Sequence, residues 1–324
     1  MLRKINEDLW REYVNYAYEL SLQPEKTSYP VYYDGIKTKE DFIRRTEKSS
    51  SIEDEEILLY EDEEKICGWI HFYYLKEDNY LSTVSMSFSA HMERGLEEFL
   101  AYVTDKYPGC EIWLGFPEEN RQALSWLAKQ GFKREEESYN DILFLDNYQA
   151  GETPDGIVRI TEENFPLFAG LHSQFDSDMY WNSERMRRRL DQWMIFLYEK
   201  GNAPQGAIYC AKWGIAEIFG VDFAGGIYNQ EAFCALTEAV LNACKAGKVK
   251  HLIFSTIRKV RPMRWLAGLN AWESISSWSK GRGMKWRNSR QCHRHGYFFI
   301  DFKRKPLQNK NWYATLEAMA MTKK

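Results

Sequence analysis

Asn120-Arg121-Gln122-Ala123-Leu124-Ser125-Trp126-Leu127-Ala128-Lys129-Gln130-Gly131-Phe132 reads as a helix with both ends marked. Asn120 is a good N-cap, because its short side-chain oxygen can accept from a backbone N–H two or three residues on. Gly131 stops the helix, and a strand is expected over residues 138–145. Upstream lies a strand over 111–116, and before it a helix over 94–106 with Leu96, Phe99, Leu100 and Val103 on one face. Pro108-Gly109 ends that helix.

Further back the pattern is β-rich. Residues 81–89 form one run, and 56–60 with 66–74 form an antiparallel hairpin around a charged turn. The chain opens with a short strand over 2–5 and a helix capped by Asn6, with Leu9, Tyr13, Ala17 and Leu20 at helical spacing. A loop with Pro24, Pro30 and Gly35 leads to a second helix over 39–47. The order β-α-α-β-β-β-α-β-α-β implies an α/β fold, a mixed, mostly antiparallel sheet flanked by helices.

After a Gly-, Pro- and acid-containing stretch at 149–156 the same order begins again. A strand over 157–160 is followed by a helix over 183–192, a hairpin of 194–198 with 206–212, a strand over 216–223, a helix over 229–245 and a strand over 250–255. The repetition points to duplication. The expected domains are residues 1–148 and 157–324, joined by a linker at 149–156.

The Asn120-x-x-Ala123 helix running into Gly131-Phe132 is similar to a signature of the GNAT N-acetyltransferases. The preceding strand and helix, residues 83–107, stand where that family places its acetyl-CoA strand and pyrophosphate helix. Residues 216–223 followed by 229–245 occupy the matching place in the second half. The likeness covers roughly residues 2–145 and 157–255, and it implies two tandem GNAT-like domains. It also implies an N-acetyltransferase that moves an acetyl group from acetyl-CoA, its co-substrate, to an amine of a small molecule or peptide. In such a site a splayed strand binds the pantetheine through free backbone groups, and the next helix N-terminus takes the pyrophosphate. By that correspondence Phe88, Ser89 and His91 line the pantetheine arm, Arg94, Gly95 and Leu96 meet the pyrophosphate, and Asn120 completes the cofactor set.

The sequence departs from the family's pattern in three places. The glycine-rich loop is reduced to Arg94-Gly95, followed by Glu97, Glu98 and Phe99; Gly225-Gly226 has no adjacent cation; and Leu127 stands where the family has a tyrosine acid. No general base or acid is assigned; Tyr139 is a candidate replacement acid, and His91 a candidate base. The alternative reading is a non-catalytic tandem protein that binds a ligand or partner through degenerate acetyl-CoA sites.

Composition narrows the remaining classes. With 44% hydrophobic and 15% aromatic residues in 324, the chain can build two cores and is not of the disordered class. A formal charge of −4 gives no global attraction to nucleic acid or anionic membrane. Six cysteines without CxxC spacing read as small buried hydrophobes. No run approaches the ~18 apolar residues of a membrane span, and no secretory segment opens the chain, so a cytoplasmic location is expected.

One segment breaks the pattern. Residues 258–310 hold fourteen Lys/Arg against Glu273 and Asp301, with Trp265, Trp272, Trp278 and Trp286 among them. Cations interleaved with aromatics suit single-stranded nucleic acid. The loss of apolar period and of acidic residues over the atypical stretch 258–296 also fits a locally altered reading frame, which is the reading preferred over nucleic-acid binding. Cys292-His293-Arg294-His295 lacks paired ligands at zinc spacing, and no metal is expected. Order returns as a strand over 297–302 and a helix over 312–321. The run Arg185, Arg187, Arg188 and Arg189 reads as a solvated face.

Overall fold

The computed structural model describes residues 1–257 apart from 6, 29–31, 33–34, 177–178 and 213–214, together with two later strands. The helix expected at 312–321, the Cys292–His295 cluster and most of the basic, Trp-rich segment lie outside the described residues. The elements in chain order are β1 (Leu2–Lys4), α1 (Glu7–Ser21), α2 (Lys39–Ser49), β2 (Glu55–Asp62), β3 (Lys65–Leu75), β4 (Tyr80–Phe88), α3 (Met92–Lys106), β5 (Glu111–Pro117), α4 (Arg121–Lys129) and β6 (Lys133–Phe144). Then follow β7 (Ile157–Arg159), α5 (Phe165–His172), α6 (Ser183–Arg188), β8 (Trp193–Lys200), β9 (Ala203–Lys212), β10 (Ala216–Phe223), α7 (Gln230–Ala246) and β11 (His251–Ile257). The later strands are β12 (Lys285–Arg287) and β13 (Phe298–Arg304).

The chain forms two compact units, Met1–Glu137 with Phe298–Lys324, and Ser138–Tyr297. In the first the strand order is β1-β2-β3-β4-β5-β13, with β4–β5 parallel and the other neighbours antiparallel. In the second it is β7-β8-β9-β10-β11-β6, again with one parallel pair, β10–β11. The two sheets repeat one plan. Their tight hairpins use two left-handed residues, Glu63 and Glu64 in the first and Gly201 and Asn202 in the second. That geometry matches the twist of the flanking strands.

The sixth strand of each unit is not the one that chain order suggests. The strand expected to close the first half at 138–145 pairs instead with β11, Ser138 opposite Ile257 through Phe144 opposite His251. The unit border therefore falls at Glu137/Ser138 rather than in the stretch 149–156. The chain leading into that stretch, and Gly151 within it, are tied down. Tyr148 OH donates to Asn242 Oδ1 at 2.7 Å, the Gly151 N–H donates to the same oxygen at 3.1 Å, and Lys245 Nζ donates to the Leu145 carbonyl at 2.8 Å.

Each sheet buries apolar residues against helices. Trp10, Val14, Ala17 and Phe42 of α1 and α2 pack on Leu59 and Trp69 in the first unit. In the second, Leu236 and Val240 of α7 pack on Ile208 and Cys210, and Phe165 and Phe168 of α5 on Leu197 and Tyr209. Among the described residues no helix is long and apolar enough to cross a membrane.

Candidate functional site

β4 and β5 pair only over Tyr80–Ser82 and Glu111–Trp113, although β4 continues to Phe88 and β5 to Pro117. Two parallel strands that part in this way leave backbone donors and acceptors to be satisfied. Here the chain supplies them itself. The Ser28 N–H donates to the Met86 carbonyl at 2.7 Å, and the Met86 N–H donates to Ser28 Oγ at 2.9 Å. Thr27 Oγ1 lies 2.9 Å from Ser87 Oγ, and Asn120 Nδ2 donates to the Thr27 carbonyl at 3.0 Å. Asn120 also accepts from the Ala123 N–H at 3.1 Å. It is both the cap of α4 and a clamp on the Thr27-Ser28 strap.

The start of α3 is likewise occupied. His91 is left-handed at φ +54, with Nε2 3.4 Å from an Asp62 carboxylate oxygen. Arg94 reaches the same oxygen at 3.1 Å. Gly95 faces the ring of Phe88, which a Cβ would overlap, and Gly68 is pressed by the same ring. Close packing alone therefore requires a glycine there. Leu96 is buried. The Ser89 N–H donates to the Cys67 carbonyl at 2.8 Å, and Ser89 Oγ lies 2.8 Å from Tyr16 OH. Leu127 is buried, and the backbone of Tyr139 sits in β6 opposite Thr256.

The matching junction in the second unit is built differently. β10 pairs with β11 only over Ala216–Ile218 and Leu252–Phe254, then runs on to Phe223. A bulge between Ile218 and Gly220 turns Phe219 outward, 38% exposed. Gly225 and Gly226 follow at φ +63 and +67, and a Cβ on either would meet nothing within 4 Å. Asn229 then caps α7, accepting from the Ala232 N–H at 3.1 Å. Glu231 in its first turn is engaged by Lys200 at 2.7 Å and Tyr198 OH at 2.8 Å, which offsets its charge at the helix start.

Beside β10 lies a buried polar group. His172 of α5 places Nδ1 2.6 Å from Asp222 Oδ2 and Nε2 2.8 Å from the Trp181 carbonyl. Both side chains are fully buried. Tyr209 OH donates to Asp222 Oδ1 at 3.5 Å and packs where a side chain on Gly220 would stand. Burial, then the Asp222 carboxylate, raise the Tyr209 phenol well above its usual range. Sequence reading singled out neither His172 nor Asp222. The available signal was a carboxylate set between Val221 and Phe223 in β10, because such a group is rarely buried without a partner.

From this cluster a row of rings runs outward. Tyr180 and Trp181 have centroids 5.1 Å apart, Trp181 and Trp193 5.2 Å, and Trp193 and Phe219 5.3 Å, all edge-to-face. Arg185 stacks over Tyr180 at 4.4 Å. Among the described residues no group of three or more His, Cys, Asp or Glu is placed to hold a metal ion.

No protein-family model matches the chain, and no curated protein matches it. Solved structures do. A GCN5-related N-acetyltransferase from Sphaerobacter thermophilus superposes with a TM-score of 0.59 at 12% identity, over 94% of this chain and 95% of that one. A tandem GNAT protein from the clavulanic acid biosynthesis pathway gives 0.55 at 10% identity, over 96% and 99%. A putative acetyltransferase from Pyrococcus horikoshii gives 0.52 at 12% identity, over 94% and 89%. The chain has the tandem GNAT fold, an α/β architecture of two mixed sheets flanked by helices.

Proposed function

We propose that this protein is an N-acyltransferase that uses acetyl-CoA, and that the β10–α7 junction of the second unit holds the cofactor. The observation that carries the reading is the contrast between the junctions. In the first unit the strand edge is bonded to Thr27-Ser28 and Arg94 to Asp62. In the second, β10 leaves its neighbour, bulges, and enters a capped helix through two left-handed glycines with open space before them. Backbone amides around Gly225 and Gly226, with the N-terminus of α7, suit a pyrophosphate. The edge of β10 from Phe219 onward suits the pantetheine amides.

The chemistry is direct transfer. An amine nitrogen attacks the thioester carbonyl, the C–S bond breaks, and the thiolate leaves and takes up a proton, while the new amide sheds the amine proton. Backbone N–H groups of the splayed strand can stabilise the oxyanion. The occupied cleft favours a scaffolding role for the first unit. A small-molecule or peptide amine is the acceptor, with neither nucleic acid nor membrane as partner.

Calorimetric titration of the full chain with acetyl-CoA tests this, with ATP as control. The expected result is saturable binding that Gly226→Val removes, because valine resists positive φ. Loss of binding in Arg94→Glu instead would move the site to α3 and its neighbours Ser89 and His91. No binding by the unaltered chain would leave the ligand- or partner-binding alternative.

A further inference from the structure

We infer that His172 is a proton-held latch between β10 and the chain entering α6: it grips both while its ring carries two hydrogens, and drops the Trp181 carbonyl when one is lost. The inference concerns a movement within the second unit and stands whether or not that unit transfers an acyl group. Both partners of the ring are acceptors. Nδ1 lies 2.6 Å from Asp222 Oδ2, and Nε2 lies 2.8 Å from the Trp181 carbonyl. Neither a carbonyl nor an ionised carboxylate has a hydrogen to give, so the two contacts need two hydrogens between them. Once one goes to solvent, the single ring hydrogen serves one partner and a lone pair faces the other. It stays with Asp222, which is fully buried. An unpaired buried carboxylate costs more than a peptide carbonyl that can swing out to water.

The two units differ in what does this holding. In the first, Ser28 is bonded to Met86 of β4 through a backbone N–H and a hydroxyl, groups that do not titrate near neutral pH. In the second, Gln174 Nε2 donates to the Phe223 carbonyl at 3.2 Å and does not titrate either, whereas Trp181 relies on His172. Among the described residues the titratable groups facing the ring are Asp222 from β10, the Tyr209 phenol from β9 at 5.1 Å between rings, and Asp176 just beyond α5. Phe168 of α5 stacks on the ring at 4.8 Å. Burial holds the Tyr209 phenol well above its usual range, so it stays neutral. Asp176 Oδ1 accepts from the Ser183 N–H at 2.8 Å and from its hydroxyl at 2.9 Å. Burial opposes the second proton, but the bond and charge of Asp222 outweigh it and hold His172 above its ordinary 6.5. The latch is therefore shut at acid pH and opens on the alkaline side.

Fluorine NMR of the full chain labelled with fluorotryptophan reads the latch, with Trp181→Phe assigning the signal. Trp181 packs edge-to-face on Trp193 at 5.2 Å, so its fluorine senses release. Titrated from about pH 6 to about pH 10, the Trp181 signal should shift with one midpoint above 6.5, while those of Trp10, Trp69 and Trp126 in the first unit hold still. Asp222→Asn should abolish the shift and keep the signal near its acid position. An asparagine amide can donate to Nδ1 and leave the one ring hydrogen on the Trp181 carbonyl. His172→Gln has no proton to lose, so its signal should also ignore pH, and it serves should Asp222→Asn not fold. A Trp181 signal unmoved in the unaltered chain, or titrating alike in either variant, would overturn the inference. So would a signal that moves only together with those of the first unit, since that is general unfolding. Acetyl-CoA takes no part in the measurement, so failure here leaves the acyltransferase reading to its own titration.

Discussion

His172 and Asp222 hold between them a proton that the unfolded chain would release. The Trp181 carbonyl can only accept, so Nε2 of His172 carries a hydrogen, and a second lies in the 2.6 Å contact from Nδ1 to Asp222. Burial works against a charged imidazole here. The hydrogen bond and charge of Asp222 outweigh it, and His172 is held above its ordinary 6.5. Burial likewise raises the Asp222 carboxyl. The folded state thus binds the proton more tightly, so this contribution is complete below 6.5 and is lost as pH rises through the folded value. His71 has the opposite sign. Burial depresses it despite Glu55 at 2.5 Å, so its contribution is present above 6.5 and is lost as pH falls through its lowered value. Urea unfolding from about pH 5 to about pH 9 separates the two. His172→Gln should flatten the alkaline limb alone, and His71→Gln the acid limb alone. His172→Leu, which strands Asp222, should cost about 3–5 kcal/mol. An unchanged alkaline slope in His172→Gln would show that the shared proton lies elsewhere.

Among the elements, the N-cap asparagines of α4 and α7 look alike in sequence and differ in what they hold. Asn229 only caps α7, so Asn229→Ala should cost about 1 kcal/mol in chemical denaturation. Asn120 also donates to the buried Thr27 carbonyl, so Asn120→Ala should cost about 2 kcal/mol or more, the cap and the stranded acceptor together. Equal losses would mean that the strap is held without the clamp. The caps, the hairpins and the element order were legible because they depend on neighbours in the chain. The strap was not, because Thr27 meets Ser87 and Asn120 only after folding. Gly95 looked like a phosphate glycine by its place in a pattern, yet the Phe88 ring alone requires it to be small. Gly95→Ala should therefore destabilise by about 1–3 kcal/mol through overpacking, read as a lowered denaturation midpoint.

For the whole molecule the instructive fact is where each sixth strand comes from. Local pattern predicted a strand at 138–145 and another at 297–302, and both exist, but pattern carries no information on partners. β13 pairs with β5, from Phe299 opposite Pro117 to Arg304 opposite Ile112, whereas β6 pairs with β11. If each half of the sequence closed its own sheet, truncation after residue 257 would leave the first unit untouched. The observed pairing demands otherwise. Removing β13 bares one edge of β5, and β12, which pairs with β6 from Ile142 to Phe144, is lost with it, while the pairing of β6 with β11 remains. Amide hydrogen exchange of the truncated chain should therefore quicken in β5 and stay slow along β11. The bared edge should also promote association at raised concentration, because an unpaired strand templates another. Protection lost along β11 with β5 unchanged would mean that the strands are not exchanged and that each unit is built from its own stretch of chain.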